Sequence, residues 1–154
     1  MTTLDTARYR FTADRADVDR DTVHHWLADL SYWARGRTRA AQDAAVDASL
    51  CFGVHERDTG RQVAFARVVT DGATFAWLCD VFVDDSARGH GVGTALVAGV
   101  VEHLDALGLP RTVLATADAH GLYEKFGFER TAPGRYMARL TDATAGPPTS
   151  ATGD

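Results

Sequence analysis

Two stretches of this sequence carry residues whose types and spacing suit chemistry. The first is Arg88-Gly89-His90-Gly91-Val92-Gly93-Thr94, three glycines at alternate positions leading straight into an amphipathic run. Glycine tolerates positive φ and lets the main chain come close to a ligand. The first turn of a helix offers free N–H groups at the positive end of its dipole. Together they make an anion site best suited to phosphates. The second is Asp80, the one charged residue in the apolar run ATFAWLCDVFV from Ala73 to Val83. A buried carboxylate without a partner is costly. Asp80 therefore needs either hydrogen bonds from backbone or an arginine, or a cleft in which it serves as base or orienter.

The class of phosphate ligand can be narrowed. A dinucleotide fingerprint needs G-x-G-x-x-G, but the sixth position is Thr94 counting from Gly89 and Leu96 counting from Gly91. A Walker A loop needs a Gly-Lys pair, and the chain has none. Six histidines, at 24, 25, 55, 90, 103 and 120, show no metal-binding spacing, so no metal is expected.

The elements that must position these residues follow from periodicity and turn chemistry. Tyr9 to Thr12 reads as a short strand. Asp21 can cap a helix over 22–30 with Val23, Trp26, Leu27 and Leu30 on one stripe. SYWARGRTR (31–39) is a break, and 40–48 suits a short helix. Strands are expected over 49–56, 62–70 and 73–83, joined by turns at Asp58-Thr59-Gly60-Arg61 and Asp71-Gly72. A strand apolar on both faces, as 73–83 is, belongs in the middle of a covered sheet. Beyond it come a helix over 91–107 closed by Gly108, a strand over 112–116, a helix over 118–126 closed by Gly127, and strand material at 128–131 and 136–140. The order predicts an α/β sandwich with a mixed sheet.

With 154 residues, 45% hydrophobic and 24% charged, the chain suits one globular domain, here 1–140, followed by a polar Pro/Gly-rich tail over 141–154 expected to be disordered. The formal charge of −5 gives no support to nucleic-acid or anionic-membrane binding. No apolar run is long enough to cross a membrane, and residues 1–5 do not read as a secretory signal. Cys51 and Cys79 read as buried hydrophobes in a reducing compartment, with a reactive thiol the lesser alternative. A cytoplasmic location is the expectation.

At these residues the chain resembles the GNAT superfamily of acyl-CoA-dependent N-acyltransferases. Arg88, Gly91 and Gly93 fill its signature [Q/R]-x-x-G-x-[G/A]. A second signature is matched by Ala119, Leu122, Tyr123, Gly127 and Phe128, with Thr116 where the family usually has Asn. The resemblance spans 8–140 and is specific over 78–97 and 114–128. It implies a mixed, mostly antiparallel sheet flanked by helices, with splayed central strands and acetyl-CoA in the wedge as co-substrate. It further implies that the backbone of Val81 and Val83 holds the pantetheine arm. Amides from Arg88 through Gly89, His90, Gly91, Val92 and Gly93 to Thr94 would hold the pyrophosphate, and an N–H near Phe82 would polarise the thioester carbonyl. Tyr123 matches the proton donor to the leaving thiolate. Asp80 is the candidate base, with His24, His25 and His120 as rivals.

In this family the region between the first two strands shapes the acceptor pocket. Here it holds Trp26, Tyr32, Trp33, Arg35, Arg37 and Arg39, of which Tyr32, Trp33 and Arg35 are the candidate substrate contacts. Aromatic walls with guanidinium groups suit a small amine that also carries an acidic or planar group; the alternative is packing aromatics and solvated arginines. The expected function is an N-acetyltransferase, an acyltransferase acting on groups other than amino-acyl groups, for a primary amine of a small molecule or peptide, with a homodimer left open. The alternatives are a non-catalytic acyl-CoA sensor and an interaction module with a vestigial cleft.

Overall fold

Asp19, not Asp21, opens the first helix. Its carboxylate accepts from the Thr22 amide, so α1 runs Arg20–His25. Three aspartates lie at alternate positions here (17, 19, 21), and Asp17 is taken up by Thr12 and Arg10. The helix continues as a wider, π-type turn over Trp26–Leu30 that buries Trp26, Leu27 and Ala28. The computed structural model describes residues 4–141; the expectations for the first residues and for 142–154 lie outside that range.

Among the described residues, five strands form one sheet in sequence order. They are β1 (Tyr9–Thr12), β2 (Leu50–Glu56), β3 (Gln62–Thr70), β4 (Ala76–Val83) and β5 (Thr112–Leu114). The first four pair antiparallel, and β4 and β5 pair in parallel. The helices are α1, α2 (Arg39–Asp47), α3 (Val92–Leu107) and α4 (His120–Glu124). The fold is thus mixed α/β with a mostly antiparallel sheet flanked by helices. β4 begins at Ala76 rather than Ala73, because the Asp71 carboxylate ties down the Ala73 and Thr74 amides in the preceding turn.

Each face of the sheet has its own core. On one, α3 lays Val92, Leu96, Val97, Val100 and Leu104 against Phe52, Val54, Ala64, Ala66 and Val68. On the other, Val23, Trp26, Leu27 and Val46 pack on Cys51 and Phe65, with Phe82 stacked on Trp26 at 5.3 Å between centroids. A Cβ on Gly99 would lie 2.5 Å from the Phe11 ring, so α3 seats on β1 at a separation that a larger residue would disturb.

The middle of β4 departs from regularity. Phe65 of β3 faces Phe82, but Arg67 faces Cys79, so β4 carries one extra residue between them. This is a β-bulge, which bends the strand and increases its twist. Asp80 sits in it with φ 54°, the one non-glycine at positive φ among the described residues. Past Leu78 the pairing between β4 and β5 ends. The two strands part there, which is the expected splay.

The expected strands at 128–131 and 136–140 do not form. Residues 129–140 are exposed, Met137 at 97% and Leu140 at 90%. The neighbouring β5 is only three residues long, so its outer edge offers few ladder bonds. The alternation around Tyr136 to Leu140 therefore lacks a template.

Candidate active site

The splay opens a cleft of about 490 Å³ whose walls include Tyr32, Trp33, Arg37, Arg67, Asp80 and Tyr123. Asp80 is 4% exposed and takes four donors. The Trp33 indole N–H donates to Oδ1 at 3.0 Å and Arg37 Nη2 to the same oxygen at 3.4 Å. Arg37 Nη1 donates to Oδ2 at 2.7 Å and Arg67 Nε to it at 2.9 Å. Burial pushes the Asp80 carboxyl up, but the Arg37 and Arg67 guanidiniums more than offset this and hold it below the usual carboxylate range. Its lone pairs are spoken for, so the group is arranged to anchor rather than to accept a proton. Both alternatives considered for a charge at this place in an apolar strand come together here: arginine partners, and a cleft.

The loop between α1 and α2 is held in shape locally. Ser31 Oγ donates to the Leu27 carbonyl at 2.7 Å and accepts from the Ala34 amide at 3.1 Å. Gly36, at φ 77°, donates to the Ala28 carbonyl at 2.9 Å. This fold-back points Trp33 and Arg37 at the bulge. The Tyr32 ring meets Trp33 edge-on at 5.0 Å. Its hydroxyl accepts from the Ala117 amide at 3.3 Å, joining this loop to the β5–α4 connection.

Of the expected acceptor residues, Tyr32 and Trp33 line the cleft and Arg35 does not: its side chain is exposed outside it. Arg39 pairs with Asp21 and Asp43. Trp26 is core. Arg67 went unread in the sequence, although it is the one charged residue of β3 and sits on the strand beside Asp80. Trp77 borders both this cleft and an adjoining cavity of about 700 Å³.

The glycine loop is built by Asp84, which accepts from the Ser86 amide and starts a single turn over Asp85–Ala87. Arg88 is drawn back to Asp85 at 2.7 Å and to the Val83 carbonyl at 3.3 Å. Gly89 and Gly91 take φ 81° and 74°, conformations that L side chains disfavour. Gly91 is the N-cap of α3 and supplies no side chain to it, and among the described residues no side chain caps the first-turn amides. His90 is exposed, its ring 6.4 Å from Tyr9, while Val92 is buried. Gly93 lies against Val83, whose Cγ2 would be 3.5 Å from an added Cβ, and Thr94 is half-buried on the first turn. Val81 lines the cleft; Val81 and Val83 also pack toward α3, and Phe82 packs toward α1. This stretch of β4 has no strand partner on the β5 side.

Tyr123 enters the cleft from α4, its ring edge-on to Phe128 at 5.9 Å. Burial, with smaller contributions from Tyr32 and Asp118, pushes its phenol up to about 12. It stays protonated through the neutral range and lines the cleft. His120 borders the adjoining cavity with Tyr123. His24 is bound to the Arg37 carbonyl at 2.8 Å and His25 to Asp29 at 2.7 Å, and neither lines the cleft. Burial raises Cys79 to about 11 and also raises Cys51, so neither thiol is poised as a nucleophile. Among the described residues no cluster of His, Cys, Asp and Glu is placed to hold a metal, and no helix is long and apolar enough to cross a membrane.

Comparison with known proteins gives this geometry a context. The Acetyltransferase (GNAT) family model matches residues 20–128. A crystal structure from Xanthomonas campestris, described as belonging to the GNAT family, is 43% identical, with a TM-score of 0.80 over 86% of this chain and 93% of that one. A Gibberella zeae protein carried under an acetyltransferase name without a substrate is 27% identical over 135 residues, 76% of each chain. Rv2747 from Mycobacterium tuberculosis, solved in complex with CoA and NLQ, shares the fold at 20% identity, with a TM-score of 0.63 over 84% of this chain and 76% of that one.

Proposed function

The chain belongs to the GNAT acetyltransferase family, and from that premise we propose that it is an N-acetyltransferase carrying an acetyl group from acetyl-CoA directly to a primary amine of a small molecule or peptide. The observation that carries this reading is the cleft between the parted ends of β4 and β5, which holds the unpaired β4 edge at Val81 and the protonated Tyr123, together with a third feature just beyond the same strand, an α3 head whose N-cap glycine supplies no side-chain cap. A vestigial or purely structural cleft has no need of all three.

Acetyl-CoA, when bound, supplies a thioester reactive toward an amine. The amides from Gly89 to Thr94 hold its pyrophosphate, because they combine unmet N–H groups with the positive end of a 16-residue helix. Arg88 shapes that turn through Asp85 and Val83. The free main chain of Val81 and Val83 takes the pantetheine arm as an added strand, and an N–H near Phe82 polarises the carbonyl. As the amine nitrogen bonds to the acetyl carbon and the carbon–sulfur bond breaks, Tyr123 gives its proton to the departing sulfur, and its phenolate is restored by the proton that the acylated nitrogen loses. Asp80 acts here as a positioning residue: its four bonds fix Trp33, Arg37 and Arg67 around the acceptor. The acceptor ammonium sheds its proton to solvent at the cleft mouth. Holding both reactants together supplies much of the rate.

The test is release of CoA from acetyl-CoA across a panel of amines, beside calorimetric binding of acetyl-CoA. Amine-dependent release is expected. Tight binding with no release for any amine would replace this reading with a sensor; no binding would remove the acyl-CoA assignment altogether.

A further inference from the structure

Around Asp80 two guanidinium charges face one carboxylate, so the pair leaves one positive charge in excess. Both arginines are largely withdrawn from water, with side chains 23% exposed for Arg37 and 13% for Arg67. The carboxylate cannot absorb the excess, because its four donors already fill it. Nor do the arginines exhaust their own donors. Arg37 uses Nη1 on Gln42 and Asp80 and Nη2 on Asp80; Arg67 uses Nε on Asp80 and Nη1 on Ser49. Arg37 Nε and Arg67 Nη2 have no partner among the described residues, and both side chains line the cleft. An unbalanced, half-desolvated cation is costly to maintain as structure alone. The one other charged residue on the cleft wall is Asp118, exposed at the mouth on the same connection as Ala117. The wall is thus polarised, with positive charge deep beside the bulge and negative charge at the rim near Tyr123.

We propose that the acceptor is an amine that also carries a carboxylate, which docks on the unused N–H groups of Arg37 and Arg67 beside the edge-on pair of Trp33 and Tyr32. A planar oxyanion matches the fork geometry of guanidinium groups. Its ammonium end faces Asp118 and Tyr123, where the proton donor stands. This rests on the acetyltransferase reading and adds the chemical class of the substrate to it. It also moves the recognition role from Arg35, outside the cleft, to Arg37 and Arg67 within it.

The probe is benzoate against benzamide, an aromatic pair alike in shape and different in charge. Each is titrated into protein saturated with CoA, and binding is read by quenching of tryptophan fluorescence. Benzoate is expected to bind saturably and benzamide at least tenfold more weakly. Arg67→Gln leaves Asp80 paired to Arg37, so the fold is retained and the local charge becomes zero. That variant should lose roughly tenfold to a hundredfold in benzoate affinity, the range for hydrogen bonds to a charged group, and leave benzamide unchanged. Arg67→Lys should recover part of the loss. In turnover, amino acids should exceed their own amides as acceptors, and Arg67→Gln should raise KM rather than lower kcat. Equal binding of the two probes, no saturable benzoate binding, or an Arg67→Gln variant with undiminished benzoate affinity would each overturn the inference. Calorimetry of acetyl-CoA on the same protein separates the layers: retained cofactor binding with no carboxylate preference removes this inference alone, and absent cofactor binding removes the reading beneath it.

Discussion

Arg37 grips Asp80 through both carboxylate oxygens, at 2.7 and 3.4 Å, although the two residues are 43 positions apart. The contact ties the loop after α1 to the bulge in β4, so one ion pair sets both the wall of the cleft and the place where the strands part.

Asp80→Asn keeps the shape of the side chain and removes its charge. Two partly buried guanidiniums then face each other unbalanced. Breaking a buried pair in this way typically costs about 3–5 kcal/mol. Urea denaturation should show a loss of that order, and Asp80→Asn should raise the KM of whichever amine proves to be the acceptor. A variant as stable as the parent would mean the cluster is already balanced by solvent.

Gly93→Glu should abolish binding of acetyl-CoA by filling and charging the space at the head of α3. The helix conformation at this position accepts a side chain, and the nearest neighbour of its Cβ is Val83 at ordinary contact distance, so the fold should persist. A thermal shift with acetyl-CoA is the measurement: a ligand at 100-fold its Kd should stabilise the parent by about 2.7 kcal/mol and leave the variant unmoved. An equal shift in both would place the pyrophosphate elsewhere.

Tyr123→Phe should lower kcat by about 10²- to 10⁴-fold, the usual worth of a positioned acid, with acetyl-CoA affinity little changed. Because burial raises the phenol to about 12, the donor remains protonated as the pH rises, and no alkaline fall in rate from Tyr123 is expected up to pH 10. A descending limb near pH 9 that vanishes in Tyr123→Phe would contradict that environment.

His55 offers a pH test of stability away from the cleft. It is buried with Nε2 on the Asp17 carbonyl at 2.9 Å, and its Nδ1 has no partner among the described residues. Burial holds its pKa below the ordinary histidine value. The unfolded chain therefore takes up a proton before the folded one does. Its contribution is present above about pH 6.5 and is lost as the pH falls through the lowered folded value. The urea midpoint should drop between pH 7.5 and 5.5, and His55→Phe should flatten that slope. A slope unchanged in the variant would assign it to other groups.

Much of this arrangement is written in local sequence. Gln62–Thr70 was legible to the residue because its apolar run is bounded by two turns. Val92–Leu107 was legible because glycines precede it and Gly108, in the left-handed region, ends it. Asp80 announced itself by being the wrong polarity for its strand. Its partners did not, since Arg37 and Arg67 reach it only through tertiary packing. Arg35 and Arg37 have the same chemistry and nearly the same position, and only the fold-back at Ser31 and Gly36 decides which enters the cleft. The C-terminal strands were overread for the opposite reason. Alternation at Tyr136 to Leu140 describes what a segment could pair with, and a three-residue β5 gives it little to pair against.

The missing side chain at Gly99 reaches further than its own neighbourhood. It lies seven residues along α3 from Val92, about 10 Å at the usual helical rise. The Phe11 ring beneath it is a fulcrum, and the rod above is stiff. Any atom wedged into that contact tilts the whole lever, and the far end that swings is the one carrying the amides. On the proposed function, drift at this glycine would be felt as weakened grip on coenzyme A as well as lost stability.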